Sequence, residues 1–262
     1  MACSSTVAAA FVLAALVAPA RALGQDTTVI IPSEGPHGFL FKEPSVTLGI
    51  HGSFDLRRAQ SSIYQFFINQ FTLSKSDFSA FGVGGEIGVR IASPLDIVMG
   101  GDYTRTSKLS ESRDYVDQNN LPITQRTTLW TVPLSVALRW YPTARGREIG
   151  RFVWIPARVT PYVGLGGGAV HYSLTQAGSF VDSQLSIFDA KYQSDGWAPL
   201  ALVTAGVDYG LGTLVFLNAD VRYLWANAGV QQDFKNFPDG IDLNGVAFSI
   251  GLHLRLEGAG RR

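Results

Sequence analysis

Three residues at every second position, His51, Ser53 and Asp55, supply the groups of a nucleophilic relay: an imidazole, a hydroxyl and a carboxylate. That spacing puts all three on one face of a strand. Neighbours on the face stand about 7 Å apart, too far for the hydroxyl to hand its proton to the imidazole without rearrangement, so no catalytic residue is assigned and the chain is read as a non-enzyme. Gly164-x-Gly166-x-x-Ala169 has the letters of a dinucleotide-binding turn. The residues after it are strand-like and offer no helix N-terminus to a pyrophosphate, so no cofactor is expected. Asp233, Asp239 and Asp242 have the chemistry of Ca²⁺ ligands at spacings that match no twelve-residue calcium loop, and no metal is expected either. Arg145, Arg147, Arg151 and Arg158 make the segment 142–158 basic; a solvated turn is the default reading, with contact to anionic headgroups or cell wall as the alternative.

The remaining candidates are charges set singly into otherwise apolar segments: His51, Glu86, Arg90, Asp96, Asp102, Arg139, Asp208, Asp220, Arg222 and Arg255. Their signs are mixed. Unpaired buried charge is costly, so an ion-pair network is expected. Arg90, Asp96, Arg139, Asp208 and Arg255 fall near one rim, and His51, Glu86, Asp102, Asp220 and Arg222 nearer the middle.

The elements that carry these charges alternate with period two. In GVAFSIGLHLRL (245–256), Val246, Phe248, Ile250, Leu252, Leu254 and Leu256 occupy one parity, and small or polar residues the other. Such a segment is a two-faced strand. The pattern recurs around 46–57, 81–91, 95–104, 130–140, 161–172, 203–209 and 217–225, which makes eight strands. Gly166 to Gly168 blur the phase of the 161–172 strand and suggest a bulge there. Tight turns at Ala92-Ser93-Pro94 and Gly210-Leu211-Gly212 alternate with long polar segments read as loops at 58–77, 105–127, 175–196 and 227–240. The connection 142–158 is the exception, long on the short-turn rim.

Which parity faces out is decided by composition. The polar parity is rich in Gly, Ala, Ser and Thr, and all five lysines (42, 75, 108, 191, 235) fall outside the strand centres. Small residues with a few ions suit the narrow interior of an eight-stranded barrel, not a water-facing surface. Aromatic residues bracket the apolar parity: Trp130 with Trp140, Tyr162 with Tyr172, and Trp197 with Tyr209, joined by Tyr103, Tyr223 and Trp225. Ten residues tilted by about 40° rise roughly 25 Å, the height of an outer-membrane apolar band between its aromatic girdles. The apolar parity is therefore expected to face lipid.

Formal net charge is zero and only 16% of residues are charged, so nothing recruits nucleic acid. No apolar run reaches the ~20 residues of a spanning helix. Val7 to Val17 is a shorter apolar run followed by Ala18-Pro19-Ala20 and Ala20-Arg21-Ala22, which reads as a cleaved export signal, although residues 1–6 lack a basic residue. The only cysteine, Cys3, precedes that run, so the mature chain is expected to carry no disulfide.

With PYVGLGGG, NADVRY and the closing SIGLHLRL in place, the chain resembles the small outer-membrane β-barrel domain family, the OmpA-like and OmpX-like eight-stranded barrels of Gram-negative bacteria, over about residues 45–256. Members usually close on an aromatic residue, whereas Leu256 is followed here by EGAGRR. Some eight-stranded outer-membrane lipid A deacylases use a His-x-Ser pair that faces lipid; here that parity points inward. The expected fold is all-β, an eight-stranded antiparallel up-and-down transmembrane barrel (45–256) after a signal peptide (1–24) and a periplasmic segment (25–44), with a flexible tail (257–262). The expected role is structural or surface-interactive, with the lumen plugged by ion pairs. A narrow gated pore, an outer-membrane lipid-modifying enzyme and a secreted lipocalin-like binder are the alternatives. The expected partners of this monomer are outer-membrane lipid and lipopolysaccharide, the barrel assembly machinery during insertion, and an extracellular ligand of the loops.

Overall fold

Alternation of branched or aromatic residues with small ones favours pleated strands that present one face to each environment. The computed structural model describes residues 40, 43–149, 153–182 and 184–256; the segments read as signal peptide and tail, most of 25–44, and Arg151 lie outside the described residues. Eight long strands are present: β1 (Val46–Arg57), β2 (Ala80–Ala92), β3 (Leu95–Val116), β4 (Pro122–Trp140), β5 (Val159–Val181), β6 (Ile187–Gly210), β7 (Val215–Ala228) and β8 (Gly245–Leu256). Each pairs antiparallel with the next in sequence, and β8 pairs with β1 from Val46↔Leu256 to Arg57↔Gly245. The sheet thus closes into a barrel without an open edge.

Two segments expected as loops are largely strand. β3 and β4 continue to Val116 and from Pro122, and β5 and β6 to Val181 and from Ile187. Both faces of these strand ends carry polar residues beyond the apolar band, and Thr-rich polar strands pair as well as apolar ones. Matching devices reverse both hairpins: Asp117 Oδ1 accepts the amides of Asn119 and Leu121 at 2.7 Å, and Asp182 Oδ1 those of Gln184 and Ser186 at 2.8 Å. The bulge expected at Gly166–Gly168 is absent, because β4 and β5 stay in unbroken register from Gln125↔Gly178 to Trp140↔Val163. A side chain at Gly168 would overlap the Leu134 carbonyl, so these glycines let the two strands approach closely.

The segment 58–77 is likewise no open loop. α1 (Ser62–Gln70) turns Ile63, Tyr64 and Phe67 into the barrel mouth, where they are fully buried. They pack with Phe71, Leu73, Phe78 and Phe234 on the inward-facing Leu129, Val170, Leu174, Leu200 and Ala226. After α1 a single 3₁₀ turn (Lys75–Phe78) is capped reciprocally, with the Ser74 amide and hydroxyl donating to Asp77 Oδ2 at 2.9 and 2.8 Å. Burial alone would raise the Asp77 carboxyl, but those two bonds and the Lys108 ammonium outweigh it and hold the group below the usual carboxylate range.

Candidate functional site: the barrel interior

An eight-stranded barrel is just wide enough for its inward side chains to meet, so the inward parity of every strand converges on one file of contacts. At the end bearing the short turns, the described parts of the connection, 141–149 and 153–158, fold back against that file. Gly146–Glu148 pairs with Trp154–Pro156, and Trp154 is buried while exchanging two backbone hydrogen bonds with Leu40 at 2.8 and 3.0 Å. Arg145 lies over the Tyr141 ring, 4.2 Å from its centroid, and pairs with Asp96. The solvated-turn reading therefore fails for Arg145: the buried Asp96 carboxylate needs a cation, and the connection supplies it. Arg90 likewise pairs with Glu43 at 2.6 Å, from the segment before β1. Arg255 sits over Phe216, 4.4 Å from the ring centroid, within reach of the Gly212 and Thr213 carbonyls.

One layer further in, Asn218 donates to Asp208 at 2.7 Å and to the Tyr162 hydroxyl at 2.9 Å, while Arg139 lies 4.1 Å above the Tyr162 ring. Arg139 also pairs with Glu86 at 2.9 Å, and His253 Nδ1 stands 3.6 Å from the same carboxylate. Arg222 gathers the central layer: Asp102 at 3.0 Å, Asp220 at 3.1 Å and the Ser249 hydroxyl at 3.1 Å. His51 Nε2 bonds Asp102 at 2.6 Å. Above this layer Arg57 donates to Thr131, Thr104 and the Leu243 carbonyl. An apolar layer comes next, with Pro133, Val170, Leu200, Leu224 and Leu243, and then α1. The cavity between Arg57, Thr131 and that layer is about 20 Å³, room for a single water.

All ten charges expected in the interior face inward, in a different grouping from the expected one. Rim and middle are linked through Arg139 and Glu86, whereas Arg90 and Asp96 find partners outside the strands. The relay of His51, Ser53 and Asp55 is not assembled. His51 turns to Asp102, and Ser53 Oγ has no hydrogen-bond partner among the described residues. Among those residues no cluster of His, Cys, Asp or Glu is disposed to hold a metal ion. The expected interior network left out Glu43, Arg57, Arg145, Asn218 and His253. His253 was legible, standing on the inward parity of the closing strand; the other partners come from connections, a strand end or an uncharged amide.

On the outside, Tyr103, Trp130, Trp140, Trp197, Tyr209, Tyr223 and Trp225 share the outward parity. His171 joins them unforeseen, its ring centroid 5.0 Å from that of Trp130 and 4.9 Å from that of Trp197. Tyr162 and Tyr172, expected in the girdle, are corrected to the interior, where they are 2% and 0% exposed. Tyr172 spends its hydroxyl on Ser194 and the Gly229 carbonyl, at 3.1 and 2.8 Å, a buried arrangement no lipid-facing tyrosine has.

No protein-family model matches the chain, and no curated protein matches it. Among solved structures it is similar to Neisserial surface protein A, at 15% identity over 80% of this chain and 97% of that one (TM-score 0.41). It is also similar to the outer membrane protein OprG from Pseudomonas aeruginosa, at 13% identity over 84% and 100% of the two chains (TM-score 0.45), and to a major outer membrane protein from Thermus thermophilus, at 8% over 81% and 100% (TM-score 0.45).

Proposed function

We propose that the chain is an integral outer-membrane barrel with a structural or surface-contact role, its interior closed to solutes. The observation that carries this reading is the outward face. Phe81 is 80% exposed, Ile50 70%, Leu165 66% and Ile250 58%, in a band that continues around every strand, with a row of aromatic residues toward its α1 end and Trp140 and Tyr209 at the other. Monomeric soluble proteins rarely expose so large a contiguous apolar surface, whereas a bilayer covers it. The short-turn end then faces the periplasm and the α1 end the exterior, where the two long hairpins present the variable contact surface. Lipopolysaccharide and the barrel assembly machinery are the partners this setting implies. The packed interior favours this role over a pore, and the His51–Ser53–Asp55 relay lacks the contacts that nucleophilic catalysis would need. Cell fractionation with heat-modifiable migration in detergent gels tests the reading. Recovery as a soluble periplasmic or secreted species with no heat-dependent shift would reject it.

A further inference from the structure

Two exposed arginines face outward on neighbouring strands just beyond the aromatic band, while Asp189 and Asp195, acidic residues of the same outward parity, stand two strands away from β4 on β6. Arg105 of β3 stands directly across from Trp130 of β4 and two residues beyond Tyr103. One row further toward the α1 end Ser107 faces Thr128, and the next row sets Leu109 against Arg126. These positions share the parity of Tyr103 and Trp130, so Arg105, Ser107, Thr128 and Arg126 form one outward patch on two neighbouring strands. Ser107 and Thr128 hydroxyls bond each other at 2.9 Å. Only one of the two protons is used in that bond, leaving the other for an incoming acceptor. Both arginines are exposed, and among the described residues neither makes an ion pair or a side-chain hydrogen bond. Lys191 adds a third cation on the Arg126 row, reached through Ala177. Glu111, across from Thr124, begins the next row and bounds the patch.

We propose that this patch binds the phosphate of a phosphorylated lipid headgroup in the leaflet around the α1 end of the barrel; the inference rests on the membrane reading above. Aromatic side chains of a spanning barrel lie at headgroup level, which puts the row beyond Trp130 where lipid phosphates are found. Arg105 and Arg126 are separated by about 13 Å along the strand, so two guanidinium arms bend toward one anion seated on the hydroxyl row between them. Guanidinium forks match phosphate oxygens in pairs, and the adjoining apolar surface accepts the acyl chains of the same molecule.

The test uses the full chain refolded into phosphatidylcholine vesicles containing small, equal amounts of bisphosphorylated lipid A and its dephosphorylated form. The lipids kept by the detergent-extracted protein are quantified by mass spectrometry. Wild type is expected to retain the phosphorylated form with roughly tenfold preference. Arg105→Gln/Arg126→Gln loses that preference, while Lys235→Gln, in the loop before β8 and outside the patch, keeps it. Excess inorganic phosphate leaves it unchanged, since a free anion lacks the acyl chains; displacement by inorganic phosphate would overturn the lipid as ligand. Equal retention of the two forms by inserted wild type, or an unchanged preference in the double variant, overturns the proposal and leaves the membrane reading standing. Failure of wild type to insert overturns both.

Discussion

Arg222 is the residue on which most interior contacts converge, touching Asp102, Asp220 and Ser249 while Asp102 holds His51. Removing one partner of a buried charge cluster leaves the others uncompensated, so Arg222→Ala should destabilise the barrel by about 3–5 kcal/mol. Urea unfolding in lipid vesicles measures it, and a variant as stable as wild type would mean the cluster contributes nothing. Tyr162→Phe probes a correction at the same scale. With its hydroxyl gone, Asn218 loses one acceptor and the barrel should weaken by about 1–3 kcal/mol, whereas an outward girdle tyrosine would give almost no change. Parity placed the charges because a lone Asp or Arg among Leu and Val marks its face. It could not place Tyr162 and Tyr172, since β5 is apolar on both faces: Val163 and Leu165 point out, Tyr162, Val170 and Tyr172 in. Their ten-residue spacing fits either face equally well.

At the scale of elements, strand centres were legible because an apolar outer face on one side and a cramped interior on the other force strict alternation. Strand ends and α1 were not. Beyond the apolar band both faces carry polar residues, alternation loses its contrast, and polar strands look like loops. In 62–71 the apolar residues Ile63, Tyr64 and Phe67 have helical spacing, but only the barrel mouth gives that stripe something to bury against. Val136→Arg tests a strand centre. Its charge would sit near the bilayer midplane and cost about 2–4 kcal/mol, against no change for Asn236→Arg in the loop before β8. Phe67→Ala tests α1. It empties a fully buried site and should cost about 3–5 kcal/mol locally, seen as faster amide exchange in 62–78 with exchange in β8 unchanged. Equal acceleration in both would show that the mouth core and the barrel unfold as one unit.

At the scale of the whole molecule, three sets of described side chains stand in series along one axis, and on the reading proposed above they close the interior. Tyr141, Arg145 and Trp154 cover the short-turn end, the Glu86–Arg139 and Asp102–Arg222 layers fill the middle, and α1 with its apolar ring fills the other end. Barriers in series have a simple consequence for conduction: the narrowest one remaining sets the current, so opening any one alone changes little. Wild type in planar bilayers should therefore show no steady conductance. Neither Arg222→Ala, nor Trp154→Ala, nor replacement of residues 61–71 by a Gly-Ser linker should create a channel by itself. Only the combination should conduct, and then weakly, since an eight-stranded interior is narrow even when emptied of its largest side chains. A stable channel in wild type would contradict the closed interior. If Arg222→Ala alone conducted as well as the combination, neither end would be sealed, and the packing of Trp154 and of α1 would be no barrier to ions.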